Sequence, residues 1–137
     1  MVAIDRNRIV EAIRQAEQRT SGEIRVSVSR PFWGNVREAA EKAFDRMGMQ
    51  ETKARNGVLI FVVPSRRKFV VLGDAGIHEK VGQDFWDRVV HSIAEKFRSG
   101  DFTEGIISGI FTVGEQLATH FPYDASTDID ELPNRID

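Results

Sequence analysis

Six consecutive apolar residues, Val58 to Val63, constrain this chain more than any other feature. A strand with one wet face alternates apolar and polar side chains, whereas an unbroken apolar run of strand length is buried on both faces. The chain must therefore supply covering layers on two sides of a sheet. Pro64-Ser65-Arg66-Arg67 reads as a turn, and Lys68 to Leu72 as the returning strand of a hairpin. A third strand is legible upstream. From Glu23 to Ser29, Ile24, Val26 and Val28 alternate with Arg25, Ser27 and Ser29, so this strand is covered on one face.

Helices supply the covering layers. Asp5 can cap a first helix running to about Arg19, with Ile9, Val10, Ile13 and Ala16 at helical spacing. A second helix carries Ala39, Ala40, Ala43, Phe44 and Met47, and Gly48 lies near its end. A third is expected to start near Gln83 or Asp84, because Phe85, Val89, Ile93 and Phe97 recur every fourth residue. Ser99-Gly100-Asp101 separates it from a fourth, Phe102 to His120. Gly105, Gly109 and Gly114 on that helix each cost about 1 kcal/mol relative to alanine, which points to close packing.

The order helix, strand, helix, strand, strand, helix, helix predicts an α/β sandwich. The first two strands are joined by a helical crossover and should run parallel; the third returns antiparallel. At 137 residues the chain is one domain with enough length for a core of its own. Residues 1–122 form the expected domain, and 123–137 an acidic, proline-punctuated tail.

Composition excludes several functions. With no cysteine, disulfides, thiolate metal sites and thiol catalysis are ruled out. A net charge of −2 gives no broad field for nucleic acid. No window approaches the roughly 18 apolar residues of a membrane span, and the first residues do not read as a signal peptide. The expected location is therefore cytoplasmic. His78, His91 and His120 have no ligand spacing, and no Gly-x-Ser-x-Gly elbow is present.

Strand polarity gathers a candidate site. Glu23 opens the first strand, Arg55 and Asn56 precede the second, and Asp74 follows the third, which runs the other way. All should lie on one edge of the sheet, with Glu79 and Asp84 near it. Asp74 sits in Gly73-Asp74-Ala75-Gly76, where glycines permit a sharp turn and close approach. Converging carboxylates favour a hard cation with oxygen ligands, calcium or magnesium. The alternative is that these acids cap helices and pair with Arg55, Arg25 or Lys80; Asp84 before Phe85 fits a cap.

The opposite edge carries Arg30, Trp33, Asn35 and the hairpin arginines Arg66 and Arg67. It can be read as an anion site at a helix N-terminus or as a solvated hairpin tip. No glycine-rich phosphate loop accompanies it.

With these residues in view, the chain resembles the TPM domain family. The matching segments are Thr20-Ser21-Gly22-Glu23-Ile24, Arg55-Asn56-Gly57-Val58-Leu59 and Leu72-Gly73-Asp74-Ala75-Gly76-Ile77. Asp84, Phe97-Arg98-Ser99-Gly100-Asp101-Phe102 and the glycine-bearing helix complete the set, over roughly residues 5–122. The resemblance implies a three-layer α/β/α Rossmann-like sandwich with a small mixed sheet and four main helices. It also implies a divalent-cation site, usually calcium. By carry-over the metal ligands are Asp74 and Asp84, joined by Glu23 and Glu79, with Asn56, Gly73 and Gly76 supporting the rim. The expected function is a cation-binding domain with a binding or regulatory role. The alternatives are a metal-dependent phosphatase, or a ligand-free domain that meets a protein partner through Trp33 or the acidic tail.

Overall fold

The computed structural model describes residues 4–123. The chain runs α1 (Arg6–Glu17), β1 (Glu23–Val28), α2 (Val36–Arg46), β2 (Gly57–Val63), β3 (Lys68–Gly73), α3 (Ala75–Arg98) and α4 (Phe102–His120). Short 3-10 turns occupy Met49–Glu51 and Pro64–Arg66. The sheet has the order β1-β2-β3, with β1 parallel to β2 and β3 antiparallel to β2. This is the predicted mixed sheet and the predicted α/β class.

The apolar run forms the central strand, and both its faces are covered. Val58, Ile60 and Val62 join α1, α3 and α4 in the larger core. Leu59, Phe61 and Val63 face α2 in the smaller one. All but Phe61 are fully buried, each such side chain contributing about 1.5–3 kcal/mol. On the larger side α1 packs on β1, α4 on β2 and α3 on β3. On the other side α2 packs on β2 and β3. The face of β1 toward α2 carries Glu23, Arg25 and Ser27, so no apolar surface there calls for a helix.

The α4 glycines lie at close helix contacts, as their cost to the helix leads one to expect. A methyl at Gly109 would come within 2.6 Å of the Ile93 side chain on α3, and one at Gly114 within 3.0 Å of Ala16 on α1. Phe97 stacks against Phe69 and Phe102 at 5.0 and 4.7 Å, closing the far end of the core.

The third helix departs from expectation. It starts at Ala75, about eight residues before the predicted position, and is broken at Gly82 (φ 75°, ψ 171°). Only glycine adopts that backbone readily. The repeat at Phe85 therefore marks the second segment alone. The first segment is held by Ile77, which is fully buried, and by a bond across the break, from Trp86 Nε1 to His78 Nδ1 at 2.9 Å.

Tyr123 N donates to Arg19 O at 3.2 Å, and Thr20 bridges to Pro122, so the end of the domain is tied beside β1. The acidic tail from residue 124 onward lies outside the described residues. Among the described residues no helix is long and apolar enough to cross a membrane.

Candidate functional site

The turn from β3 into α3 is built around Asp74. Its backbone is extended, and its carboxylate accepts from Ala75 N at 2.7 Å, capping the helix. Its own N–H donates to Gly57 O at 2.9 Å, which fixes the turn to the start of β2. Arg55 grips the same carboxylate in a two-pronged pair, Nε to Oδ2 at 2.6 Å and Nη2 to Oδ1 at 2.7 Å. Asp74 holds the Arg55 guanidinium above its ordinary pKa. The carboxylate is buried, with 6% of the side chain exposed, whereas the Arg55 side chain is 52% exposed.

Backbone geometry makes that pairing possible. Arg55 lies in the left-handed region, at φ 53°. Its carbonyl accepts from Gly76 N at 2.8 Å and from Ile77 N at 3.3 Å, satisfying amides in the first turn of α3. A methyl at Gly76 would overlap the carbonyl oxygen of Ala54. A methyl at Gly73 would overlap the indole of Trp86. Both glycines therefore support the turn by leaving room for a neighbour.

Glu23 occupies the same end of the sheet. Glu23 is the register partner of Gly57, and its N–H donates to Asn56 O at 3.4 Å. Its carboxylate meets Arg25 Nη2 at 3.1 Å, while Arg25 Nη1 reaches Glu17 Oε2 at 2.7 Å. Glu17 also accepts from Ile24 N at 2.9 Å, and Arg25 Nη1 donates to Ile24 O at 2.6 Å. This buried triad was not foreseen with Glu17 in it. The signal was present: the stripe Ile9, Ile13, Ala16 places Glu17 at the end of α1, beside the core.

Asn56 is 2% exposed, and its N–H donates to Thr52 Oγ1 at 3.2 Å. Its side-chain oxygen Oδ1 is buried with no hydrogen-bond partner among the described residues. Glu79 and Asp84 are exposed on α3, and neither enters an ion pair among the described residues. Asp84 does not cap a helix; Asp74 does.

The topology thus brings Glu23, Asn56 and Asp74 to one end of the sheet, as strand polarity predicts. The carboxylates are neutralised from within: Asp74 by Arg55, Glu23 by Arg25. Among the described residues no group of three or more His, Asp or Glu side chains is arranged to hold a metal ion. The cap-and-pair alternative describes Asp74 and Glu23 as they stand.

At the opposite edge Asn35 caps α2, accepting from Glu38 N at 2.9 Å. Arg66 Nη1 donates to Gly34 O at 2.8 Å, and its guanidinium lies 5.3 Å from the Phe32 ring centre. Arg66 therefore straps the loop after β1 to the hairpin. Trp33, within that loop, is 99% exposed.

The sequence profile of the TPM domain matches residues 3–116. No curated protein matches the chain. Among solved structures, the NMR structure of the BA42 protein from the psychrophilic bacterium Bizionia argentinensis is 43% identical, with a TM-score of 0.88. That match covers 96% of this chain and 90% of BA42. The N-terminal domain of a P. gingivalis protein shares the fold at a TM-score of 0.67 and 21% identity, covering 83% of this chain and 76% of that one. The N-terminal domain of cg2496 from Corynebacterium glutamicum does so at 0.63 and 15%, covering 81% and 70%. With the profile matched over residues 3–116, the chain belongs to the TPM domain family.

Proposed function

We propose that this TPM domain is a divalent-cation binding module, for calcium first and magnesium second, with a binding or regulatory role. The observation that carries the reading is Asn56 Oδ1, an amide oxygen buried without a partner at the end of the sheet that also holds Asp74. A buried polar atom left unpaired is costly and calls for a water or an ion. Amide, carboxylate and main-chain oxygens are the ligand types of hard cations.

A dication at this corner would replace the Arg55 guanidinium on Asp74. The half-exposed Arg55 side chain has solvent to move into. Asp74 and Asn56 would be the principal donors, with Glu23, Glu79 and Asp84 contributing charge around them. Arg55 then serves as the internal counter-ion of the metal-free state, and exchange of one cation for another gives the domain two states.

Calorimetric titration with calcium and with magnesium chloride tests this. Wild-type protein should show saturable heat in the millimolar range or below. Asp74→Asn should weaken it by about tenfold or more, equivalent to about 1.4 kcal/mol. Absence of heat at millimolar calcium, or unchanged heat in Asp74→Asn, overturns the reading. The same samples offered a generic phosphate ester separate it from a metal-dependent phosphatase, which requires turnover that a chelator abolishes.

A further inference from the structure

The remaining chemistry lies at the other end of β1. α2 packs mainly on β2 and β3, and a cleft of about 490 Å³ opens between it and the end of β1. That volume falls in the range of small-molecule sites. Ser27 and Ser29 of β1 and its following loop line one side, and Lys42 and Arg46, one turn apart on α2, line the other. Arg30 stands just after the end of β1, and no acidic residue lines the cleft among the described residues.

The state of these cations distinguishes the cleft from the acidic corner. There every arginine meets a carboxylate. Here neither Arg30 nor Lys42 has an ion-pair partner among the described residues. Like charges gathered around a concave surface repel unless an anion joins them, and the walls concentrate their field. The apolar part of the lining is specific too: Val28, Pro31, Phe32 and Phe61. The Arg66 guanidinium lies against the Phe32 ring and donates to Gly34 O, which ties this wall to the hairpin. One neighbouring cleft offers less. The groove between α1 and α4 carries its own acid, Glu11, already paired with Arg14, and Arg8 there is paired with Glu104.

We propose that this cleft binds a soluble phosphate monoester with a compact apolar or aromatic body. The phosphate dianion lies between Arg30 and Lys42, and the body rests on Phe32 and Phe61. A phosphate fits better than a single carboxylate because two unneutralised cations match a dianion, and the guanidinium fork suits its oxygens. The proposed role is one of binding: among the described residues no carboxylate or histidine lines the cleft to move a proton. It sits at the end of the sheet away from Asp74 and does not depend on a cation there.

Chemical-shift titration of the 15N-labelled protein at physiological salt tests the proposal, with inorganic phosphate and then phenyl phosphate as probes. Saturable shifts confined to 27–32, 39–46 and 61 are expected, with phenyl phosphate binding more tightly. Lys42→Ala and Arg30→Ala should each weaken phenyl phosphate by about tenfold, the loss of one charge-assisted hydrogen bond. Lys42→Arg should retain binding, and Asp74→Asn and added chelator should leave it unchanged, which separates this site from the cation corner. No saturable shift with either probe overturns the proposal. So does binding of phenyl phosphate at wild-type affinity by Lys42→Ala and Arg30→Ala. Sedimentation with phosphatidic acid vesicles, without soluble-probe binding, also overturns it in favour of a membrane surface.

Discussion

Single residues at the β3–α3 turn show what a one-letter sequence carries and what it hides. That Asp74 lies in a tight turn was legible from its flanking glycines. That its carboxylate is gripped by Arg55 was not, because the pairing depends on a left-handed backbone at Arg55 that no residue type announces. Polarity brought Glu23 and Asp74 to one end of the sheet, but charge balance required side chains rather than topology. The most exacting position is Gly76. Its Cα faces the Ala54 carbonyl, a backbone atom that cannot rotate away. Gly76→Ala must push the 54–55 loop off the first turn of α3 and break the bond from Gly76 N to Arg55 O. Overpacking of this kind costs about 1–3 kcal/mol. A lowered urea midpoint at constant slope is the expected outcome, and an unchanged midpoint would show that the loop is free to shift.

Elements were legible where their periodicity is strong. The strands, α4 and the Phe85-to-Phe97 stripe follow the sequence within a few residues. The opening segment of α3 was not, because seven residues give too few turns for a repeat, and its stability comes from caps and one buried side chain, Ile77. Gly82 decides how the two segments meet. Its φ and ψ belong to a region essentially closed to other residues, so Gly82→Ala should cost about 1–3 kcal/mol or force the break to re-form elsewhere. Nothing stands within 4 Å of an added methyl there, so the effect is one of backbone strain alone. Amide hydrogen exchange should report it locally: faster exchange over 75–82, with α4 unaffected. Uniform loss of protection across the molecule would instead mean that the segment is integral to the whole core.

At the scale of the molecule, the sheet divides the chemistry. One end holds acids already matched by arginines; the other holds cations facing a cleft; a polar stripe of Glu23, Arg25 and Ser27 runs between them on β1. Arg25 is the centre of that stripe, and its side chain is 2% exposed between Glu17 and Glu23. Arg25→Met would strand two buried carboxylates and is expected to cost about 3–5 kcal/mol. Thermal unfolding checks this, and a loss below 1 kcal/mol, by the scale of exposed pairs, would show that water reaches the triad.

The same triad has a consequence for how molecules of this protein treat one another. β1 is an outermost strand, and such a strand offers unpaired main-chain groups on which a second chain can add itself. Glu17 and Arg25 occupy the N–H and C=O of Ile24, so a foreign strand approaching there finds both main-chain groups already engaged. The salt bridges that join α1 to β1 thereby also occupy one pair of main-chain groups on the open edge, and Arg25→Met would leave the Ile24 carbonyl free to accept from a second strand.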